Sequence, residues 1–337
     1  LYGMIESALL WYSLYVEVLE KDGFEVNPYD KCVANKMVDG KQCTMVWYVD
    51  DNKLSHKDST VVDTVLAMVE SHFPGLVVER GKSLNFLGME LNFIGDKKVK
   101  VGVKKYLGGL VEDFEAFDGV LTKKVSSPAA KWLMTVDENA RKLSVEKSEK
   151  YHSTVGGLLW AEKRGRPDIE TAVSFLCTRV KIPDVDDWCK LRRLMCFIKQ
   201  TINDERMMGA DSLTEMITFV DAAHSVHPNM RGHTGGCITF GTGVVDSKSS
   251  KQKMNTRSST ETEVVGTSEY LPKNIFYELF MEAQGYKLTS NILAQDNQSQ
   301  ILMANNGKAS CSSNSKHIEI KYFWVTDRIK NGNIEIV

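Results

Sequence analysis

At 337 residues the chain is long enough for two or three domains, each able to bury its own core. Hydrophobic residues make up 42% and charged residues 26%, the balance of an ordinary globular protein, which excludes a disordered or fibrous chain. With 42 Lys and Arg against 44 Asp and Glu, the net charge of -2 supplies no bulk attraction to nucleic acid and leaves only local basic faces to provide it.

No apolar run approaches the ~20 residues of a membrane span, and the first residues carry no signal-peptide pattern. The 7 cysteines (Cys32, Cys43, Cys177, Cys189, Cys196, Cys237, Cys311) are odd in number, scattered and without a C-x-x-C pair. That usage predicts a reducing intracellular compartment and argues against a zinc site. A start on Leu1-Tyr2-Gly3 and an end inside the strand-like run Asn333-Ile334-Glu335-Ile336-Val337 read as an internal piece of something longer.

In chain order, apolar residues at helical spacing predict a helix over 6–19, stopped by Lys21-Asp22-Gly23. Residues 32–37 and 42–49 read as a hairpin around Asp39-Gly40. The second strand runs into Val46-Trp47-Tyr48-Val49-Asp50-Asp51-Asn52-Lys53-Leu54, an apolar stretch ending in two adjacent carboxylates with a short strand-like run behind them. Two readings of that tip stand side by side. Asp-Asp-Asn is good turn chemistry, and two carboxylates at a turn repel unless a cation binds between them. A helix over 59–73, a strand over 84–93, a Gly95-Asp96 turn, a strand over 98–103 and a helix over 106–117 follow. Helix, hairpin, helix, hairpin is an α+β order with helices covering one face of an antiparallel sheet.

From Val125 to about Gly209 the pattern predicts helices, over 146–162, 168–180 and 185–203, with Gly156-Gly157 allowing close packing. Leu133, Trp160, Phe175, Trp188 and Phe197 fall at core spacing. After Asp211 a strand over 216–220 ends at Asp221, and a hairpin pairs 235–240 with 244–248. A long helix over 260–283, a strand over 291–294 ending at Asp296, a helix over 298–304, a helix over 317–330 and a last strand complete a mixed sheet with helices on it.

Asp221 and Asp296 end strands, and Glu263 lies in the first turns of the long helix, so the three acids can converge on a divalent ion. Each also has a plainer explanation. Thr260-x-x-Glu263 and Ser258-x-x-Glu261 both match a capping box, Asp296 can cap the next helix, and Asp221 can be a turn residue. Lys97, Lys98, Lys100, Lys104 and Lys105 form one basic cluster, and Lys248, Lys251, Lys253 and Arg257 another. Such clusters give salt-sensitive phosphate contacts or are simply solvated faces.

Taken in order, these motifs resemble the pol polyprotein of copia-type LTR retrotransposons over nearly the whole chain. Leu1-Tyr2-Gly3 with Trp11-Tyr12, Tyr48-Val49-Asp50-Asp51 and Phe86-Leu87-Gly88-Met89-Glu90 resemble segments of the reverse-transcriptase palm. The run from Tyr151 to Leu159, followed by Arg166-Pro167-Asp168-Ile169, resembles the connection. Thr218-Phe219-Val220-Asp221, Ser258-Ser259-Thr260-Glu261-Thr262-Glu263, Asp296-Asn297-Gln298-Ser299 and Lys316-His317-Ile318-Glu319 resemble the ribonuclease H domain in its order.

The resemblance implies a palm and thumb-like segment over 1–125, a helical connection over 126–210 and a ribonuclease H-like domain over 211–337. It implies Asp50 and Asp51 as ligands of Mg²⁺ or Mn²⁺ for nucleotidyl transfer, with Tyr48 on the template-primer side. Asp221, Glu263 and Asp296 would hold the ions that hydrolyse RNA in an RNA–DNA hybrid, with Glu261 the alternative to Glu263. Arg231, His233 and Thr234 fall in a polar loop that touches the hybrid backbone or is only a solvated turn. Lys104, Lys105, Lys251 and Arg257 would contact phosphates, and residence in a cytoplasmic particle or the nucleus would follow. His317 and Glu319, which stands where the family has Asp, precede a helix and read as structural. The family's further polymerase Asp lies before the Leu-Tyr-Gly segment, and its fourth ribonuclease H Asp in a helix after the last strand. Three functions therefore compete: a reverse transcriptase and ribonuclease H fragment, a catalytically inactive nucleic-acid-binding remnant, and an unrelated metal-dependent phosphoesterase accounting for the second half alone.

Overall fold

Residues Cys43, Met45 and Trp47 alternate with more exposed neighbours along one eight-residue strand, and their side chains are all buried. Period-two burial of this kind gives a sheet one inner face, which helices must then cover. The computed structural model describes residues 4–95, 97–306, 319–332 and 334–337; Leu1-Tyr2-Gly3, Asp96 and Lys316-His317-Ile318 lie outside them. The chain divides into two compact units, Leu1–Gly88 with Ile275–Lys287, and Met89–Asn274 with Leu288–Val337.

In the first unit, helix α1 (Ile5–Lys21) precedes β1 (Glu25–Val26), β2 (Val33–Val38), β3 (Lys41–Tyr48) and β4 (Asp51–Ser55). Helix α2 (Ser59–His72) and β5 (Ser83–Phe86) follow. Strands β1 to β4 pair antiparallel in sequence order. Asp58 starts α2 as an N-cap, its carboxylate accepting from Thr60 N at 2.9 Å. Tyr15 and Leu19 of α1 and Val65 and Val69 of α2 pack on Cys43, Met45 and Trp47 to form the core. The α+β character expected from the element order is present, but the second expected hairpin belongs to another sheet, that of β5 with the strands after it.

The second unit opens with β6 (Met89–Gly95) and β7 (Lys98–Gly102), then helices α3 (Lys104–Asp118), α4 (Val145–Arg164), α5 (Glu170–Cys177) and α6 (Val185–Gln200). These four helices share one core, built on Leu107, Phe114, Tyr151, Leu158, Phe175 and Leu191. Leu133 and Trp188 also belong to it, and Trp160 and Phe197 pack against it. At Gly157 a Cβ would meet Leu110 and the Tyr106 hydroxyl at 3.1 Å, so glycine lets α3 and α4 approach; Gly156 has open space. Arg166, 1% exposed, holds Asp168 through two parallel hydrogen bonds of 2.8 and 2.7 Å and reaches Thr201 O at 3.0 Å, tying the turn before α5 to the end of α6.

Strands β8 (Arg206–Gly209), β9 (Glu215–Ala223), β10 (His233–Thr239) and β11 (Asp246–Lys251) come next. Helix α7 (Ser259–Ala283), β12 (Ser290–Ala294), α8 (Gln298–Asn306), α9 (Glu319–Asn331) and β13 (Glu335–Ile336) close the chain. The larger sheet has the order β11-β10-β9-β12-β13, antiparallel through the β9-β10-β11 meander and parallel for β12 and β13. This is the mixed sheet expected.

Four expectations need correction. The strand expected over 84–93 breaks at Leu87 and Gly88, whose φ angles of 51° and 73° interrupt extended backbone. The boundary between the two units falls there. Residues 206–209, expected within the helical stretch, form β8 and pair with β7. The helix expected over 168–180 is a 3₁₀ turn, Pro167–Ile169, followed by α5. Asp221 does not end its strand, since β9 runs on to Ala223.

Candidate metal centre

Along β9 burial alternates strictly, with Met216, Thr218, Val220 and Ala222 buried and Asp221 exposed. The parallel partner β12 sets Ala294 beside Phe219, and two residues further along each chain lie Asp296 and Asp221. Glu263 comes from the second turn of α7, which packs on the buried side of β9: a Cβ on Gly266 would meet that of Ala222 at 3.0 Å. One oxygen from each of Asp221, Glu263 and Asp296 lies within 4.8 Å of the others. It is the one group of three or more potential ligand side chains among the described residues. Three carboxylates with no sulfur or imidazole form a hard, all-oxygen donor set, the kind that suits oxygen-binding divalent cations.

Electrostatics within the group are uneven. Asp221 and Asp296 are exposed, whereas Glu263 is 6% exposed. Burial, then the charge of Asp221, pushes its carboxyl up to about 7, with Asp296 adding to the effect. Hydrogen bonds from Gln295 Nε2 and the Ala222 backbone oppose that shift. Glu261 has a different job. Its carboxylate accepts from Arg257 N at 2.6 Å and its own N–H donates to the Ser258 hydroxyl, so it caps α7, and Glu263 is the glutamate that stands with Asp221 and Asp296. A cavity of about 640 Å³ opens beside the acids, with Phe219, Asp221, Cys237, Lys248 and Asp296 in its wall.

The other sites expected from sequence distribute as follows. Asp50 lies in the two-residue turn closed by the Tyr48 and Asp51 pair, and all three are exposed. Val49 there has φ 56°, a strained value for a β-branched residue. No third ligand side chain joins Asp50 and Asp51 among the described residues. Behind them a strut that the sequence did not suggest supports the turn: Tyr15 OH donates to Asn52 Oδ1 at 2.7 Å, and Asn52 Nδ2 donates to Asp50 O at 2.9 Å.

Lys104 and Lys105 are exposed in the first turn of α3. Arg257 is exposed before α7. Lys251 ends β11, and burial together with the charges of Arg231 and Arg179 holds its ammonium below the usual range. Arg179 is neutralised by Asp184 and Asp187, while no carboxylate pairs with Lys251 or Arg231 among the described residues. His233 and Thr234 correct the expectation of a polar loop. Both lie inside β10 and are buried, His233 bonded to His227 and Ser249 and Thr234 to Gln252. Neither offers a surface to a polymer. Gln295, which bonds Glu263, was also missed; only its place before the Asp-Asn pair hinted at it.

Two α+β units, one of them carrying a carboxylate centre suited to a hard divalent cation, define the class of protein. Comparison with known sequences then narrows it. Residues 1–128 match the family described as Reverse transcriptase (RNA-dependent DNA polymerase). The whole chain is similar, at 24% identity, to 25% of the "Retrovirus-related Pol polyprotein from transposon TNT 1-94" of Nicotiana tabacum. At 22% identity, 91% of it is similar to 18% of the "Transposon Ty1-DR5 Gag-Pol polyprotein" of Saccharomyces cerevisiae. The chain thus spans a quarter or less of the length of these relatives. Its resemblance to a retrotransposon pol polyprotein, drawn from the motifs, is borne out. Among the described residues no helix is long and apolar enough to cross a membrane.

Proposed function

We propose that the chain is a copia-type pol fragment whose carboxylate centre hydrolyses the RNA strand of RNA–DNA hybrids. In this reading residues 1–125 derive from the palm and thumb-like segment, 126–210 from the connection and 211–337 from a ribonuclease H-like domain. The observation that carries it is the convergence of Asp221, Glu263 and Asp296 within 4.8 Å from a strand, a helix and a strand exit. A pair of Mg²⁺ or Mn²⁺ ions bound there would activate water and stabilise the leaving oxygen. Asp221 and Asp296 present their side chains to solvent, and Glu263 must release its proton before it can join them. Lys251 and Arg231, without carboxylate partners among the described residues, are suited to hold backbone phosphates, as are Lys248, Arg257, Lys104 and Lys105. Contacts to backbone and 2′-hydroxyls make the binding independent of sequence. A cytoplasmic particle or the nucleus is the proposed location.

The test is cleavage of RNA in a hybrid with Mg²⁺ or Mn²⁺ added. Asp221→Asn reduces it to background; equal cleavage by the variant and the parent chain overturns the proposal. A second reading, a chain that binds nucleic acid without turnover, is favoured for the Asp50–Asp51 tip, where two carboxylates stand without a third among the described residues. It predicts salt-dependent hybrid binding with no product, whatever metal is supplied.

A further inference from the structure

Alternation along β12 buries Asn291 and Leu293, and it carries Gln295, 7% exposed, to the same side just past the strand end. That side faces α7, where Asn274 bonds Asn291 and where Glu263 and Thr267 stand one turn apart. The Gln295 amide donates to Glu263 Oε2 at 3.2 Å and to Thr267 Oγ1 at 3.4 Å. Its oxygen accepts from Asp296 N at 2.8 Å and from Asn297 N at 3.2 Å. Asn297 in turn caps α8, accepting from Gln300 N at 3.0 Å, and Gln300 Nε2 reaches Thr267 Oγ1 at 3.3 Å.

We propose that Gln295 is a positioning residue for the carboxylate centre, one neutral amide that aims the Glu263 carboxylate while fixing the backbone from which Asp296 projects. The inference rests on the reading of Asp221, Glu263 and Asp296 as ligands of a divalent ion. An amide suits the task because it is a two-proton donor and a two-lone-pair acceptor at once, and here both ends are used. A carboxylate at 295 adds a fourth negative charge and cannot donate to Glu263. An apolar side chain of similar size leaves the Asp296 and Asn297 N–H groups without their acceptor. Being uncharged, the amide orients Glu263 without competing for the cation. Outer-shell partners of this kind change metal affinity by about 10- to 100-fold when removed.

The experiment is Mn²⁺ binding to the full chain, followed by calorimetry and by the electron paramagnetic resonance of free Mn²⁺. Gln295→Met is expected to weaken Mn²⁺ binding about tenfold. In a Glu263→Gln background it adds less than tenfold, because the part of its effect that passes through Glu263 is already lost and only the hold on Asp296 remains. Affinity equal to the parent's in Gln295→Met, even with a lower melting temperature, assigns the amide to folding alone and overturns the inference. Should that variant fail to fold, Gln295→Asn keeps an amide but withdraws it by one methylene; the same loss is expected, and unchanged affinity again overturns the inference. A parent chain with no Mn²⁺ binding sensitive to Asp221→Asn removes the metal reading itself, a different result from a parent that binds and a Gln295 variant that binds equally.

Discussion

Glu263 has to lose a proton to bind a cation, and its surroundings make that loss late. With its carboxyl near 7 in the folded chain and near 4.5 in the unfolded one, the native state holds the extra proton between those values. Stability contributed by this group therefore falls as pH rises from about 4.5 to about 7, while affinity for a cation rises over the same window. Mn²⁺ binding should strengthen by up to about tenfold per pH unit below 7 and level off above it, and Glu263→Gln should flatten that part of the profile. Calorimetric titrations at several pH values check this; a flat parent profile leaves Glu263 out of the binding set. Much of the centre was legible, because acids near strand ends and in the opening turns of a helix sit at places that spacing can predict. Gln295 was not, since an amide in a core position looks like any polar residue until its partners, 28 and 32 residues away in sequence, are known. His233 and Thr234 misled for a related reason: His-Thr-Gly-Gly-Cys-Ile-Thr shows no alternation, so nothing in β10 announces which side is buried.

The β3–β4 hairpin illustrates how an element holds its turn in place. Its inner face is anchored by Trp47 against Tyr15, with ring centroids 5.5 Å apart, and the same tyrosine extends its hydroxyl to Asn52 behind the turn. Asn52→Leu removes both hydrogen bonds of the strut while keeping the strand. The amide of Asp51, paired with Tyr48 across the turn, should then exchange with solvent at least about fivefold faster, as expected for about 1 kcal/mol per lost bond, with Met45 and Trp47 unchanged. Unaltered turn exchange places the hold on Asp50 elsewhere. At this scale sequence reading did well where a periodic run met a cap, as in α2 after Asp58 or α6 with its Asp184 and Asp187 capping box. It failed where structure depends on a distant partner. Arg206–Gly209 is too short to show a period, and only β7 makes it a strand. Phe86-Leu87-Gly88-Met89 looks continuous because Leu87 gives no warning of its left-handed backbone.

Each of the two units has its own buried core, one on Trp47 and Tyr15, the other on the α3 to α6 helices. Trp47→Ala should cost the first unit about 3–5 kcal/mol, read by denaturant unfolding, and leave Mn²⁺ affinity at the carboxylate centre unchanged. A large fall in affinity shows that the centre depends on that core. Helix α7 has a part in both units. Its opening turns carry Glu263, Pro272 interrupts its hydrogen-bond ladder, and Ile275–Lys287 belongs with the first unit. There Asn27 donates to Phe280 O at 3.4 Å and Gln42 to Gln284 O at 3.2 Å. The consequence concerns birth order on the ribosome. Although the first unit begins at the amino end, its last piece emerges only after the helices and meander of the second have been made. At roughly 5–20 residues per second, the nascent first unit waits about 10–40 s for its last segment.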